Sequence, residues 1–230
     1  MLHKTNGIVL RSIKYGDSSL ITTIFTALLG TQTYMVQGVR SSKAKQNRAG
    51  FFQPGMLLEL VTYQQPQKNM QRIREFQAAY IYTGLQEDVV KNSISIFSVE
   101  LLLRLLPEQA PLPALFDMAY EYFIALDKMS LHQVANFPLF FIIQCSKILG
   151  YDLKEAESDA HAASAMPINN DDAAVLNLLL AADNYADLEK ITMNADTRLR
   201  LIDWYVAYLQ KHTQHMGNLK SLSVLRAILH

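Results

Sequence analysis

The chain has one cysteine, Cys145, in 230 residues, so it can form no internal disulfide and cannot build a cysteine-based zinc ribbon. Long apolar runs are missing too. No stretch approaches the ~18 consecutive apolar residues of a membrane-spanning helix, and the first residues lack the apolar core of a secretory signal. The expectation is a soluble cytoplasmic protein with no membrane association. Net charge is absent, with 21 Lys+Arg against 21 Asp+Glu, yet 50% of the residues are apolar; that balance argues against disorder, because burial can offset chain entropy. Enzyme signatures are lacking. There is no phosphate-binding loop ending in Lys-Ser/Thr, no G-x-G-x-x-G after a strand and no G-x-S-x-G elbow. His212 and His215 stand three apart with no evident third ligand, too few for a zinc site. Cys145 lies in the most apolar segment, where a packed thiol is inert, and Asp171-Asp172 reads as a helix start. No catalytic residue, metal or cofactor is expected.

The neutral total conceals a polarity. Residues 1–80 carry ten basic side chains and three acidic ones, a net +7, and residues 81–230 carry the compensating −7. A basic half points to nucleic acid or another polyanion. The same 80 residues read as β-structure. Strands are expected at about 7–13, 19–26, 31–37, 56–63 and 70–79, separated by Gly16-Asp17, Gly30, Gly38, Pro54-Gly55 and the turn cluster 65–69. Five short strands suggest a small barrel, closed or partly open.

Beyond residue 80 the apolar period changes to that of helices. Helices are expected at about 88–106, 115–129, 137–149, 173–182, 199–212 and 221–229. The third is apolar nearly all round and should be the buried centre of a bundle, with Gly150 as its terminator. Gly217 should end the fifth. Residues 151–170 show no period and read as an acidic, irregular insert. The architecture is therefore α+β, a barrel at 1–80 followed by an all-α bundle at 81–230.

The sharpest chemical signal is the stretch from Arg40 to Gly50, where Arg40, Lys43, Lys45 and Arg48 place four cations in nine residues with no acid between them. An exposed loop of this kind can follow a phosphate backbone. Arg11, Lys14, Arg72 and Arg74 add cations on the strands. Single-strand binders on small barrels combine such charge with rings that stack on bases, and Tyr15, Phe51 and Phe52 adjoin a turn or the basic loop. The opposing reading is a solvated basic surface with ordinary core aromatics.

A set of residues in order along the chain carries a resemblance. It comprises Gly7 to Leu10, Tyr15 to Ser19, Phe25-Thr26, Gly30, Gly38-Val39-Arg40, Lys43 and Gln53-Pro54, then Glu100-Leu101, Leu105 to Glu108 and Leu115-Phe116. It ends with 137–149 closed by Gly150-Tyr151, and Gly217 to Leu222. In this order the chain resembles the RecO family of bacterial recombination mediators. The resemblance implies an OB-fold followed by a helical domain. It implies binding of single- and double-stranded DNA, annealing of complementary strands, and help in loading RecA recombinase on DNA coated by single-strand-binding protein (SSB). The implied partners are RecR and the acidic C-terminal tail of SSB. Such a tail needs an apolar pocket with a cation nearby, and Arg104, Lys128 and Lys147 are the basic residues set among helical apolar runs. Many members carry a four-cysteine zinc module after the central helix; here residues 152–167 contain no cysteine, so no zinc module is expected. The alternative from another class is a non-catalytic adaptor whose barrel binds protein rather than DNA, and a metal-dependent hydrolase is a third.

Overall fold

The computed structural model describes all residues except 41–47, 66, 152, 154–166, 215 and 230. Five strands, β1 (Leu2–Tyr15), β2 (Ser19–Thr26), β3 (Gly30–Val36), β4 (Leu57–Tyr63) and β5 (Met70–Ala78), close into a barrel in the order β1-β2-β3-β5-β4. All neighbours are antiparallel except β3 and β5. This is the OB-fold. The long first strand makes closure possible. Residues Leu2 to Ile8 pair with β4, and Gly7 to Tyr15 pair with β2, with a bulge between Val9 and Arg11. A bulge bends its strand and raises the local twist, and here it lets Ile8, Val9 and Leu10 all be buried. Gly7 sits where the strand crosses the interior; a Cβ there would lie 2.6 Å from Ile24 and 2.9 Å from Leu60.

Alternation fills the inside. Leu20, Ile24, Tyr34, Val36, Leu58 and Leu60 form one core cluster with Val9, Val39 and Phe52. The 3-10 turn Arg48–Phe52 covers this end of the barrel, its Phe52 ring edge-on to Phe76 at 4.7 Å. In β5 the expected alternation is broken by a register shift opposite Val61/Thr62. Phe76 consequently pairs with Leu60 and packs on the core, while Arg72 and Arg74 are both exposed.

The chain divides into two compact units, Met1–Tyr82 with Leu106–Ile124, and Thr83–Leu105 with Ala125–His230. The first is thus the barrel plus a returning segment. Gln109 donates its amide to the Thr31 carbonyl at 3.1 Å, and Phe116 lies edge-on to Phe25 at 5.3 Å. Gly30 adopts φ +66°, and a Cβ on it would strike the Ala110 carbonyl oxygen at 2.3 Å. With the returning segment included, the unit carries ten basic and six acidic side chains, still a net +4.

The helices are α1 (Val89–Leu105), α2 (Pro113–Lys128), α3 (Leu131–Val134), α4 (Phe137–Leu149), α5 (Asn170–Ala181), α6 (Tyr185–Glu189), α7 (Ala195–His212) and α8 (Ser221–Ile228). Helix α4 is the buried centre of the second unit, with nine of its residues inside, packed on α1, α5 and α7. Gly150 ends it in the left-handed conformation, and the Tyr151 amide donates back to Ser146 at 2.8 Å. Asn169, Asn184 and Asn194 cap α5, α6 and α7 through their side-chain oxygens. Helix α7 begins four residues before the expected start and ends at His212, five before Gly217, where the Thr213 hydroxyl and amide both donate to Leu209. Among the described residues no helix is long and apolar enough to cross a membrane. None holds three or more His, Cys, Asp or Glu placed to grip a metal ion.

Candidate nucleic-acid interface

The outer wall of β1, β2 and β3 carries side chains in cross-strand rows. Ile13 is opposite Ile21, Ile21 opposite Met35, and Met35 opposite Arg72. This row of three apolar side chains ending in a cation crosses four strands, about 15 Å at the usual strand spacing. The adjacent row runs Arg11, Thr23, Thr33 and Met70. Ile13 is 45% exposed and Tyr15, beside it on the same face, 52%. A solvent-facing barrel wall is ordinarily polar. Apolar side chains bordered by Arg11 and Arg72, both exposed, with the exposed Lys14 at the strand's end, suit bases lying on the sheet with phosphates along its margin.

The loops are fixed beside this wall. The Arg40 guanidinium donates to the Gly16 carbonyl at 3.1 Å, and the Arg40 amide donates to the Ser18 carbonyl at 3.0 Å. Arg40 therefore ties the β1–β2 turn, with Lys14 and Tyr15 at its edge, to the chain leaving β3. On the other side, the buried Gln71 amide donates to the Gln65 and Lys68 carbonyls and accepts from the Gln65 amide at 2.8 Å, which sets the β4–β5 connection. In OB-folds the strand 2–3 face and these two loops form the surface available to oligonucleotides.

Of the residues selected from sequence, the structure brings Arg11, Lys14, Tyr15, Arg40 and Arg72 to this wall and its rim. Arg48 and Arg74 stand elsewhere on the barrel, both lining a groove over β4 and β5. Lys43 and Lys45 lie outside the described residues, as does most of the expected acidic insert. Phe52 is 1% exposed, so its ring is committed to the core. Phe51 is half-buried, edge-on to Phe76 at 5.8 Å. The apolar row of Ile13, Ile21 and Met35 escaped the sequence reading. Residues 19–25 place apolar or β-branched side chains on both faces, so alternation alone could not tell outside from inside.

In the second unit, Arg104 sits 4.0 Å from Glu100 and Lys147 3.5 Å from Asp183; Lys128 is exposed at the end of α2. The structure does not gather the three in either of its described cavities. A cation that sequence reading passed over occupies a groove of about 400 Å³ formed with His132, Asn136, Leu188, Glu189, Ile191 and Met193. This is Arg198, half-buried, donating to Asn136 Oδ1 at 2.9 Å and to the Met193 carbonyl, with no carboxylate within 4 Å among the described residues. Burial draws its pKa below the ordinary arginine value. A partly desolvated cation with no carboxylate in contact among the described residues is an attractive site for an anion, although Glu189 lines the same groove.

Comparison with known proteins agrees with the fold. The family model described as Recombination protein O N terminal matches residues 1–82, and that described as Recombination protein O C terminal matches residues 86–158. The chain is 31% identical over 245 residues to the DNA repair protein RecO of Bacteroides fragilis, covering 99% of both chains. It is 31% identical over 242 residues to that of Phocaeicola vulgatus, with the same coverage. It is 28% identical over 238 residues to that of Flavobacterium psychrophilum, covering 98% of each. With near-complete coverage in both directions and an OB-fold barrel ahead of a helical unit, this chain belongs to the RecO family.

Proposed function

We propose that this protein is a non-catalytic mediator of DNA repair and recombination. It binds single- and double-stranded DNA on the barrel, anneals complementary strands and, with RecR, helps load RecA on SSB-coated DNA. The observation that carries the reading is the row Ile13–Ile21–Met35–Arg72 on the outer wall, bordered by Arg11, Lys14 and Tyr15. Aliphatic side chains grip base faces without reading their edges. Most edges of a held strand then stay open to pair with a complement, as annealing requires. The family membership supports the repair role.

For the SSB tail, the Arg198 groove offers Leu188, Ile191 and Met193 for an apolar end residue and the Arg198 guanidinium for a carboxylate, with Glu189 in the same lining restricting where acids can sit. Arg104, Lys128 and Lys147 stay as separate candidates for its acidic residues. The test of the whole reading is annealing of complementary oligonucleotides coated with SSB, followed with and without this protein. Acceleration supports it. No acceleration, together with no retardation of bare oligonucleotides, would favour the protein-binding adaptor instead.

A further inference from the structure

A second feature of the barrel lies apart from the apolar row, in the groove of about 520 Å³ over β4 and β5. Its wall holds a stack. The Arg48 guanidinium carbon lies 4.5 Å from the centroid of the Phe76 ring, and Phe76 is held in place by edge contacts from Phe51 and Phe52. Arg48 is exposed and has no carboxylate within 4 Å among the described residues, whereas the other two cations of the groove are engaged. Lys4 is 3.8 Å from Glu59 and Arg74 is 3.1 Å from Glu75. Gln77 donates to Glu59 Oε2 at 2.9 Å. These contacts leave Oε1 of Glu59 and Oε2 of Glu75 without a hydrogen-bond partner among the described residues.

A plain phosphate site would not put two carboxylates in the groove. A flat guanidinium on an aromatic ring offers a stacking surface for a nucleobase, and the exposed guanidinium nitrogens suit the phosphate attached to it. Glu59 and Glu75 line the same groove, where a carboxylate can meet the edge of a base. From the DNA-binding reading on which this rests, we infer that the groove takes one base of a bound strand and that Glu59 and Glu75 select a base presenting an exocyclic amine. The discrimination is clearest between the two pyrimidines. Cytosine offers an N4 amine where thymine offers the O4 carbonyl; the first donates to a carboxylate and the second is repelled by it. Only one base per protein is read in this way, so the rest of the strand stays free for annealing.

The test is fluorescence anisotropy with the full chain and labelled oligodeoxycytidylate and oligothymidylate of equal length, at neutral pH. Wild type should bind the cytosine oligomer at least about fivefold more tightly, the low end of what one good base contact discriminates. The double variant Glu59→Val, Glu75→Val should bring that ratio to about one. Arg48→Lys, which keeps the charge and loses the plane, should shrink the ratio while the salt dependence persists. A wild-type ratio of one, or a ratio unchanged in the double variant, overturns the inference and leaves the DNA-binding reading standing. Failure of both oligomers to bind wild type overturns both.

Discussion

Arg40 and Gly16, twenty-four positions apart in sequence, are joined by a guanidinium-to-carbonyl hydrogen bond of 3.1 Å. Arg40 belongs by sequence to the basic loop, yet its contact is with the β1–β2 turn that carries Lys14 and Tyr15. It acts as a strut for this turn. Arg40→Lys keeps the charge but cannot hold the turn with the same planar donor. Single-strand affinity should fall several-fold, and thermal unfolding should show a loss of about 1 kcal/mol or less. Affinity equal to wild type would make Arg40 an ordinary surface cation.

The three rings chosen from sequence should separate cleanly. Tyr15→Ala removes a half-exposed ring from the wall and should cost about 1–3 kcal/mol of single-strand binding, the usual worth of one stacked base, with unfolding unchanged. Phe52→Ala empties a buried site and should cost about 3–5 kcal/mol of stability. Phe51, half in the core, should show a smaller stability loss. Anisotropy and thermal melts on the same preparations check this, and a Tyr15→Ala protein that binds normally would remove stacking from the account.

The order of these roles was only partly visible in the sequence. The strand positions, the basic first half and the buried helix at 137–149 follow from period and composition, because turns and apolar spacing are local properties. The short helices α3 and α6 were not visible, since four or five residues show no period. Asn194 went unnoticed as a cap because Leu199 was the first clear apolar position of the stripe. The bulge beside Arg74, the burial of Phe52 and the lack of a carboxylate within 4 Å of Arg198 among the described residues are tertiary facts. Each depends on what a distant segment brings alongside, and no local pattern encodes it.

The C-terminal helix supplies a pH prediction. Glu100 on α1 accepts from the Lys220 and Ser221 amides and the Ser221 hydroxyl, at 2.6–3.0 Å. Partial burial pushes its pKa up, but these bonds, with Arg104 nearby, outweigh that and hold it below its usual 4.5. A carboxylate with a depressed folded-state pKa stabilises the fold fully above the unfolded value, and that contribution is lost as pH falls through the folded one. Glu100→Gln should therefore lower the melting temperature at neutral pH, and the gap to wild type should close below about pH 4.5. A gap that stays constant down to acid pH would show that the charge of Glu100 does not hold α8.

The central claim is that the β1–β3 wall carries the strand, and salt dependence tests it most directly. Affinity for a single strand should fall with salt with a log–log slope of about −0.7 for each phosphate neutralised. Replacing Arg11, Lys14 and Arg72 together by Gln should weaken binding and flatten the slope by up to about 2, with the melting temperature unchanged. Unchanged affinity and slope in that triple variant would contradict the claim and place the DNA elsewhere on the protein.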